Sequence, residues 1–317
     1  MKFSEYRQKL LENFTKGLPI LKFSYKIRGR LGDFLKLKIF LAKYLGFCYG
    51  VKRAIKIAKE NADGKCCTLG PIIHNPQMVE RLKAEGVDSA ESLSSVNEGT
   101  VIIRSHGVGP KIYEEIKARG LRTVDATCPH VKKAQLSARE LVNQGYEVVI
   151  VGEKNHPEVK SILEWAEKST TIIESEVEAE KFAPCQRLGI VSQTTVSGTH
   201  FEKIVLQLLK KSSDIRILRT ICTATDQRQK AAMELAEKVD VMLVVGGRNS
   251  ANTTKLARLC ETKCKTYHIE TAEEIKNEWF TQSENLSSLK VGITAGASTP
   301  DWLIKEVTEK LKTYAES

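Results

Sequence analysis

No apolar run in this 317-residue chain approaches the ~18 residues that suggest a membrane-spanning helix. The longest, such as Val241-Met242-Leu243-Val244-Val245, have the length of a buried strand. The first residues lack the long apolar core and small-residue cleavage site of a secretory leader, so a reducing cytoplasm is the expected setting. A P-loop, a complete G-x-G-x-x-G, a C-x-x-C, an H-E-x-x-H and a G-x-S-x-G are also absent. Nothing therefore supports a nucleoside-triphosphate, dinucleotide or triad-hydrolase reading.

What is present is ordinary in bulk: 41% apolar and 28% charged residues, in a chain long enough to bury a core without disulfide staples. Its length alone suggests about two domains. Two features are less ordinary, a net charge of +10 and eight cysteines. The charge is uneven: residues 1–36 carry +6 and the remaining 281 residues only +4. Leu10, Leu11, Phe14, Leu18 and Leu21 give that basic segment a helical apolar spacing. It reads as a surface or partner-binding arm, or more plainly as an extension that packs on the body; as an organellar transit peptide it is Ser-poor, with only Ser4 and Ser24.

From Lys38 onward, short β-branched strands alternate with amphipathic helices, the pattern of α/β units with parallel strands. Strands are expected at Val101–Ile103, Glu147–Val151 and Val241–Val245, and helices at Val51–Asn61, Lys111–Arg119 and Gln229–Lys238. A threefold repeat runs through this alternation. Cys48, Cys128 and Cys222 each open a helical stretch, and 22 to 24 residues later comes a strand ending in Gly and a polar loop. Those loops hold His74, His156 with Glu158, and Ser250-Ala251-Asn252. A second polar turn follows in each unit: Ser105-His106-Gly107, Gln193-Thr194-Thr195 and Ala297-Ser298-Thr299.

In parallel α/β sheets, ligands sit beyond the carboxyl ends of the strands, where helix N-termini present free N–H groups. Three such units around one axis would gather three cysteines ringed by six polar loops. Three converging thiolates suit either a zinc ion with an open position or an iron–sulfur cluster with one iron lacking a protein ligand. Histidines, hydroxyls and amides at helix N-termini make a receptor for phosphate groups. Glu158, a carboxylate near such a site, is a natural proton donor or acceptor. Cys66, Cys67, Cys185, Cys260 and Cys264 have no counterparts in the repeat and read as packing, while His130, His200 and His268 stay unassigned.

With these residues assembled, the chain from about Lys38 to Lys310 resembles the LytB/IspH family of 4-hydroxy-3-methylbut-2-enyl diphosphate reductases, which end the non-mevalonate isoprenoid pathway. The matching segments are Gly46-Phe47-Cys48, Ile73-His74-Asn75, Ser105-His106-Gly107, Asp125-Ala126-Thr127-Cys128-Pro129, His156-Pro157-Glu158-Val159, Gln193-Thr194-Thr195, Asn249-Ser250-Ala251-Asn252 and Ala295-Gly296-Ala297-Ser298. The resemblance implies an α/β trefoil of three pseudo-symmetric units with small, mostly parallel sheets around a central 4Fe-4S cluster. It assigns Cys48, Cys128 and Cys222 to three irons, leaving one open. His74, His106, His156, Ser250, Ala251 (through its backbone N–H), Asn252 and Ser298 would hold the diphosphate. Thr194 would orient the hydroxyl end, and Glu158 would deliver protons. A ferredoxin- or flavodoxin-type electron donor is implied, with no nucleic-acid partner for the body. Two departures stand out: Ala251 replaces a frequent second Ser, and Tyr44-Leu45 replaces a frequent Pro-Arg.

The expected division is a basic extension over 1–36 and α/β units over 37–122, 123–216 and 217–317, each boundary good to about ten residues, with a strand at 38–48 as an alternative member of the third unit. Two other readings compete with the reductase. One is a three-Cys zinc enzyme acting on a phosphorylated small molecule. The other is a nucleic-acid-binding or scaffold protein that uses the basic arm, which leaves the ordered triple of cysteines and loops without a reason.

Overall fold

A computed structural model describes residues 22–28, 34–62, 65–167, 169–280 and 288–316. The helical spacing over Leu10–Leu21 falls outside the described residues. Strands β1 (Lys22–Arg28) and β2 (Phe34–Leu41) precede helix α1 (Tyr49–Glu60). Then come β3 (Cys66–Leu69), α2 (Pro76–Ala84), β4 (Val87–Ala90), β5 (Thr100–Ile103), α3 (Pro110–Ala118) and β6 (Arg122–Asp125). The alternation continues through α4 (Pro129–Asn143), β7 (Glu147–Val151), α5 (Pro157–Ala166), β8 (Thr170–Ile173), α6 (Glu176–Lys181), β9 (Arg187–Ser192), α7 (Gly198–Leu208) and β10 (Asp214–Ile217). It closes with α8 (Thr223–Ala236), β11 (Val241–Val245), α9 (Ala251–Glu261), β12 (Lys265–Ile269), β13 (Ser288–Ala295) and α10 (Asp301–Glu316).

The strands form three small sheets, and the chain divides into two compact bodies, Cys48–Asp226 and Met1–Phe47 with Gln227–Ser317. The first body holds two four-stranded sheets, β4-β3-β5-β6 and β10-β9-β7-β8, parallel throughout. The second holds β1-β2-β13-β11-β12, parallel except where β1 meets β2. Residues 22–28 and 34–36, set apart in the sequence by their charge, are thus strand. The strand expected at 38–48 ends at Leu41 instead, with Lys36–Leu41 paired to Ser288–Ile293.

Central strands of such sheets are covered on both faces, which requires unbroken apolar runs. Val101, Ile102 and Ile103 of β5, Val148–Val151 of β7 and all of β11 are buried, as their composition predicts. In the second sheet, Ala134, Ala138 and Leu141 of α4 with Val159 and Ile162 of α5 cover Val148 and Ile150. Phe201, Ile204 and Leu208 of α7 cover Val149, Val151 and Ile190 from the other side. In the third sheet, Met242 and Val244 face Ala232, Leu235 and Leu256, while Leu243 and Val245 face Leu303, Val307 and Leu311. Each helix contributes one apolar stripe, and at ~1.5–3 kcal/mol per buried aliphatic side chain these stripes hold the layers.

One local device recurs. Helices α2, α3, α4 and α5 all carry Pro in the first turn, where its missing N–H costs nothing. A proline also biases the preceding residue toward an extended conformation. Asn75, Gly109, Cys128 and His156 are therefore held at N-caps, at the mouth of a helix. Helix α8 starts six residues earlier than its apolar spacing indicated, because its first turn, Thr223–Asp226, is polar and follows directly on Cys222.

Candidate active site

Cys48 caps α1, its sulfur accepting the Val51 N–H at 3.5 Å. Cys128 occupies the N-cap of α4, and Cys222 immediately precedes α8. All eight cysteines are free, and these three are half-buried. They share one neighbourhood within the Cys48–Asp226 body. A methyl group added at Gly50 would lie 2.5 Å from the Cys128 sulfur and 4.0 Å from that of Cys48, so only glycine leaves room in this turn. Burial, opposed by the His130 and Val131 N–H groups and reinforced by Cys48 and Cys222, pushes the Cys128 thiol up to about 11. Cys222 is likewise raised, chiefly by burial and also by Cys48 and Glu158.

Glu158 is 2% exposed in the first turn of α5. Its Oε1 accepts the Thr194 N–H at 2.6 Å and its Oε2 accepts the Thr194 hydroxyl at 2.9 Å. The Thr194 carbonyl in turn accepts the Cys222 N–H at 2.9 Å. A carboxylate, a hydroxyl and a thiol from three separate loops are thereby fixed relative to one another.

Beside them, His74, His106 and His156 form a cluster with ring centroids 4.5, 5.6 and 5.9 Å apart. Among the described residues this is the one group of three His, Cys, Asp or Glu whose ligand atoms all lie within 4.8 Å of one another. The three cysteine sulfurs are not drawn so tightly together. His156 Nδ1 accepts the Glu158 N–H at 3.1 Å, which leaves Nε2 as the proton-bearing nitrogen of the neutral ring. Burial, then the charge of Arg104, lowers His74. Burial, then His74, His156 and Arg104, pushes His106 well below the usual histidine range. At neutral pH the His74 and His106 rings are therefore uncharged.

The loops are braced. The Ser105 hydroxyl donates to the Ile72 carbonyl at 2.9 Å, the Cys128 N–H to the Ser105 carbonyl at 3.0 Å and the Ser161 hydroxyl to the His106 carbonyl at 2.9 Å. Three buried polar atoms here meet no hydrogen-bond partner: His106 Nδ1, Asn75 Nδ2 and Arg104 Nε. Buried polar groups are nearly always satisfied, so orphans gathered at one place are the mark of a binding site.

In the other body, the loops after β11 and β13 lie on the same edge of the sheet, because those strands are parallel neighbours. Ser250 caps α9, accepting from the Thr253 N–H at 3.4 Å and from the Thr253 hydroxyl at 3.0 Å. Ala251 and Asn252 follow in its first turn, and Ser298 is buried in the adjacent loop. The two loops touch: a methyl group at Gly296 would lie 2.0 Å from the Thr253 hydroxyl, and one at Gly246 (φ +142°) would lie 2.4 Å from the Thr299 hydroxyl.

The fold thus groups Cys48, Cys128, Cys222, Glu158 and Thr194 with the three histidines in one body, and Ser250, Asn252 and Ser298 in the other. These are the loops that the LytB protein family matches as part of residues 39–312. This chain belongs to the LytB family. It is 49% identical to a 4-hydroxy-3-methylbut-2-enyl diphosphate reductase of Geobacter metallireducens, covering 87% of this chain and 97% of that one. A relative of the same name from Caldanaerobacter subterraneus is 46% identical, with 87% and 97% covered. Among solved structures, (E)-4-hydroxy-3-methyl-but-2-enyl diphosphate reductase, the terminal enzyme of the non-mevalonate pathway, is 43% identical with a TM-score of 0.65, covering 87% of this chain and 99% of that one. The E-1-hydroxy-2-methyl-but-2-enyl-4-diphosphate reductase of Plasmodium falciparum is 29% identical with a TM-score of 0.80, covering 87% of each.

Three features of this LytB chain are invisible in the motif pattern alone. Arg104 bears on two of the histidines, Gly50 makes room for the Cys128 sulfur, and Gln135 donates to the Ser161 hydroxyl at 3.1 Å and so supports the His106 loop. Arg104 stands immediately before Ser105-His106-Gly107, a position that would have drawn attention to it. Of the unassigned histidines, His200 and His268 meet backbone carbonyls of Glu174 and Gly246, each at 2.8 Å. Cys260 and Cys264 border one apolar cluster, and Cys67 and Cys185 two others, as packing residues do.

Proposed function

We propose that this chain reduces 4-hydroxy-3-methylbut-2-enyl diphosphate to isopentenyl and dimethylallyl diphosphates, consuming two electrons and two protons and releasing the hydroxyl as water. The observation that carries the reading is the buried Glu158 carboxylate fixed through Thr194 to the loop of Cys222, with Cys48 and Cys128 alongside.

The donor set fits an iron–sulfur group. Three thiolates on one zinc ion, each at ~2.3 Å, would stand ~3.8 Å apart, a tighter group than these sulfurs form. A larger body with soft metal sites suits them better. A 4Fe-4S cluster held by Cys48, Cys128 and Cys222 would supply the electrons, one at a time, and a Lewis-acidic iron for the substrate hydroxyl.

The chain's own residues do the rest. The Nε2–H of His156 donates to a phosphate oxygen, and neutral His74 and His106 each offer one further N–H. In the other body, Ser250, the Ala251 N–H and Asn252 offer donors at the N-terminus of α9, where anions are favoured, and Ser298 offers a hydroxyl in the loop after β13. The Thr194 hydroxyl orients the hydroxyl end of the substrate. Glu158, sheltered from water, delivers a proton to the departing oxygen during turnover, because a neutral water leaves far more readily than hydroxide. Electrons come from a small redox protein of ferredoxin or flavodoxin type. No described helix is long and apolar enough to cross a membrane, and a cytoplasmic setting accords with thiols kept reduced.

The test is anaerobic turnover of the purified protein with a chemical reductant, products separated by mass. Formation of both five-carbon diphosphates supports the reading. Unchanged substrate in the presence of a full complement of iron overturns it.

A further inference from the structure

Arg104 is a half-buried guanidinium just past the end of β5, two residues before His106. Its Nε is fully buried and, among the described residues, meets no acceptor. A guanidinium has five donors and rarely leaves them idle, since each unmet donor away from water costs free energy. The chain nevertheless keeps room for it. Gly70 lies in the left-handed region at φ +71°, and a methyl group there would sit 2.6 Å from Arg104 Nη1.

The side chain stands at a junction. It borders a cavity of about 530 Å³ at the carboxyl edge of the first sheet, walled by Gly70, Gly107, Pro157, Lys160 and Glu164 among others and flanking the three histidines without including them. Gly107 and Pro157 are the immediate neighbours of His106 and His156. Glu164 on α5 is the acidic group whose charge Arg104 feels most, and no hydrogen bond to it satisfies the Nε. The charge of Arg104 also reaches His74 and His106 and helps to hold both rings neutral. A diphosphate brings at least two negative charges, and uncharged imidazoles answer them with dipoles alone. Among the described residues, Arg104 is the cation whose charge bears on both His74 and His106.

We infer that Arg104 is a further substrate-binding residue of this site, its unpartnered Nε and its charge serving the anionic end of the ligand held by His74, His106 and His156. The inference rests on the proposed function and deepens it. A charge-assisted, forked contact from Arg is geometrically specific, so lysine replaces it only in part.

The experiment compares the anaerobically purified holoenzyme with R104Q and R104K, measuring steady-state kinetics and the affinity for inorganic pyrophosphate. R104Q is expected to raise KM and the pyrophosphate Kd together by ten- to a hundredfold, with kcat within about threefold and the absorption spectrum and melting temperature of the parent. R104K should recover part of the loss. An R104Q enzyme whose KM and Kd both stay within twofold of the parent overturns the assignment, as does one that loses kcat alone. Weakened pyrophosphate binding with unchanged KM also overturns it, by placing the anion in the cavity and away from the substrate. A parent enzyme that binds pyrophosphate and loses that binding in R104Q, yet leaves the allylic diphosphate unreduced, would overturn the reductase reading while keeping Arg104 as an anion ligand.

Discussion

Both oxygens of Glu158 are engaged by one residue, Thr194, whose backbone N–H and hydroxyl lie 2.6 and 2.9 Å away and whose carbonyl receives the Cys222 N–H at 2.9 Å. The carboxylate cannot rotate without breaking one of these bonds, so its position relative to Cys222 is set by the fold rather than by a ligand.

Glu158→Gln separates position from proton transfer. The amide oxygen can accept the Thr194 N–H, and the amide nitrogen can donate to the Thr194 hydroxyl, so the loop stays in place. The variant should bind the substrate and keep the iron content of the parent while turnover falls by about a hundredfold or more. Single-turnover product formation at parental rate would remove Glu158 from proton delivery.

Thr194→Val removes one hydroxyl donor from the buried Glu158 carboxylate. Losing a hydrogen bond to a buried charged group costs about 1.5–3 kcal/mol, readable in a denaturant titration of the metal-free protein. A loss below about 0.5 kcal/mol would mean that water or another group replaces the hydroxyl.

Gly50→Ala places a methyl group 2.5 Å from the Cys128 sulfur, inside contact distance. The helix itself gains from alanine, which is the better helix former by about 1 kcal/mol. The expected outcome is a protein with the parent's circular dichroism and less bound iron per chain. Undiminished iron would show that the sulfurs can yield.

Acid should weaken the substrate-free protein through its histidines. His106, and to a lesser degree His74, has a folded-state affinity for protons below the ordinary value of 6.5. Below about pH 6.5 the unfolded chain takes up protons that the native cluster refuses, so stability falls with pH until the native rings are also protonated. The melting temperature of the parent should therefore drop between pH 7 and pH 5, and more steeply than that of His106→Gln. Equal slopes would show that these rings are not held neutral.

The cysteines and histidines were legible because each sits at a position that backbone chemistry marks. Pro129 and Pro157 place Cys128 and His156 at helix mouths, and the buried β5, β7 and β11 read as unbroken apolar runs. Arg104 stands beside the Ser105-His106-Gly107 motif in the sequence, but its buried, unpartnered Nε is visible only in the structure. The pairing of β2 with β13 joins residues some 250 positions apart in the chain, beyond the reach of local patterns. Charge misled at the N-terminus: the same basic composition that set residues 1–36 apart also covers a strand at Lys22–Arg28. The tie between Glu158 and Thr194 could be suspected from two motifs but not measured until the second sheet placed their loops side by side.

The central claim is that Cys48, Cys128 and Cys222 together hold an iron–sulfur group. An anaerobic absorption spectrum with iron and acid-labile sulfide counts, taken on the parent and on Cys128→Ser, tests it most directly. The parent should be brown, with about four irons and four sulfides per chain, and the variant bleached, with far fewer. A colourless parent that contains zinc and no sulfide would contradict it.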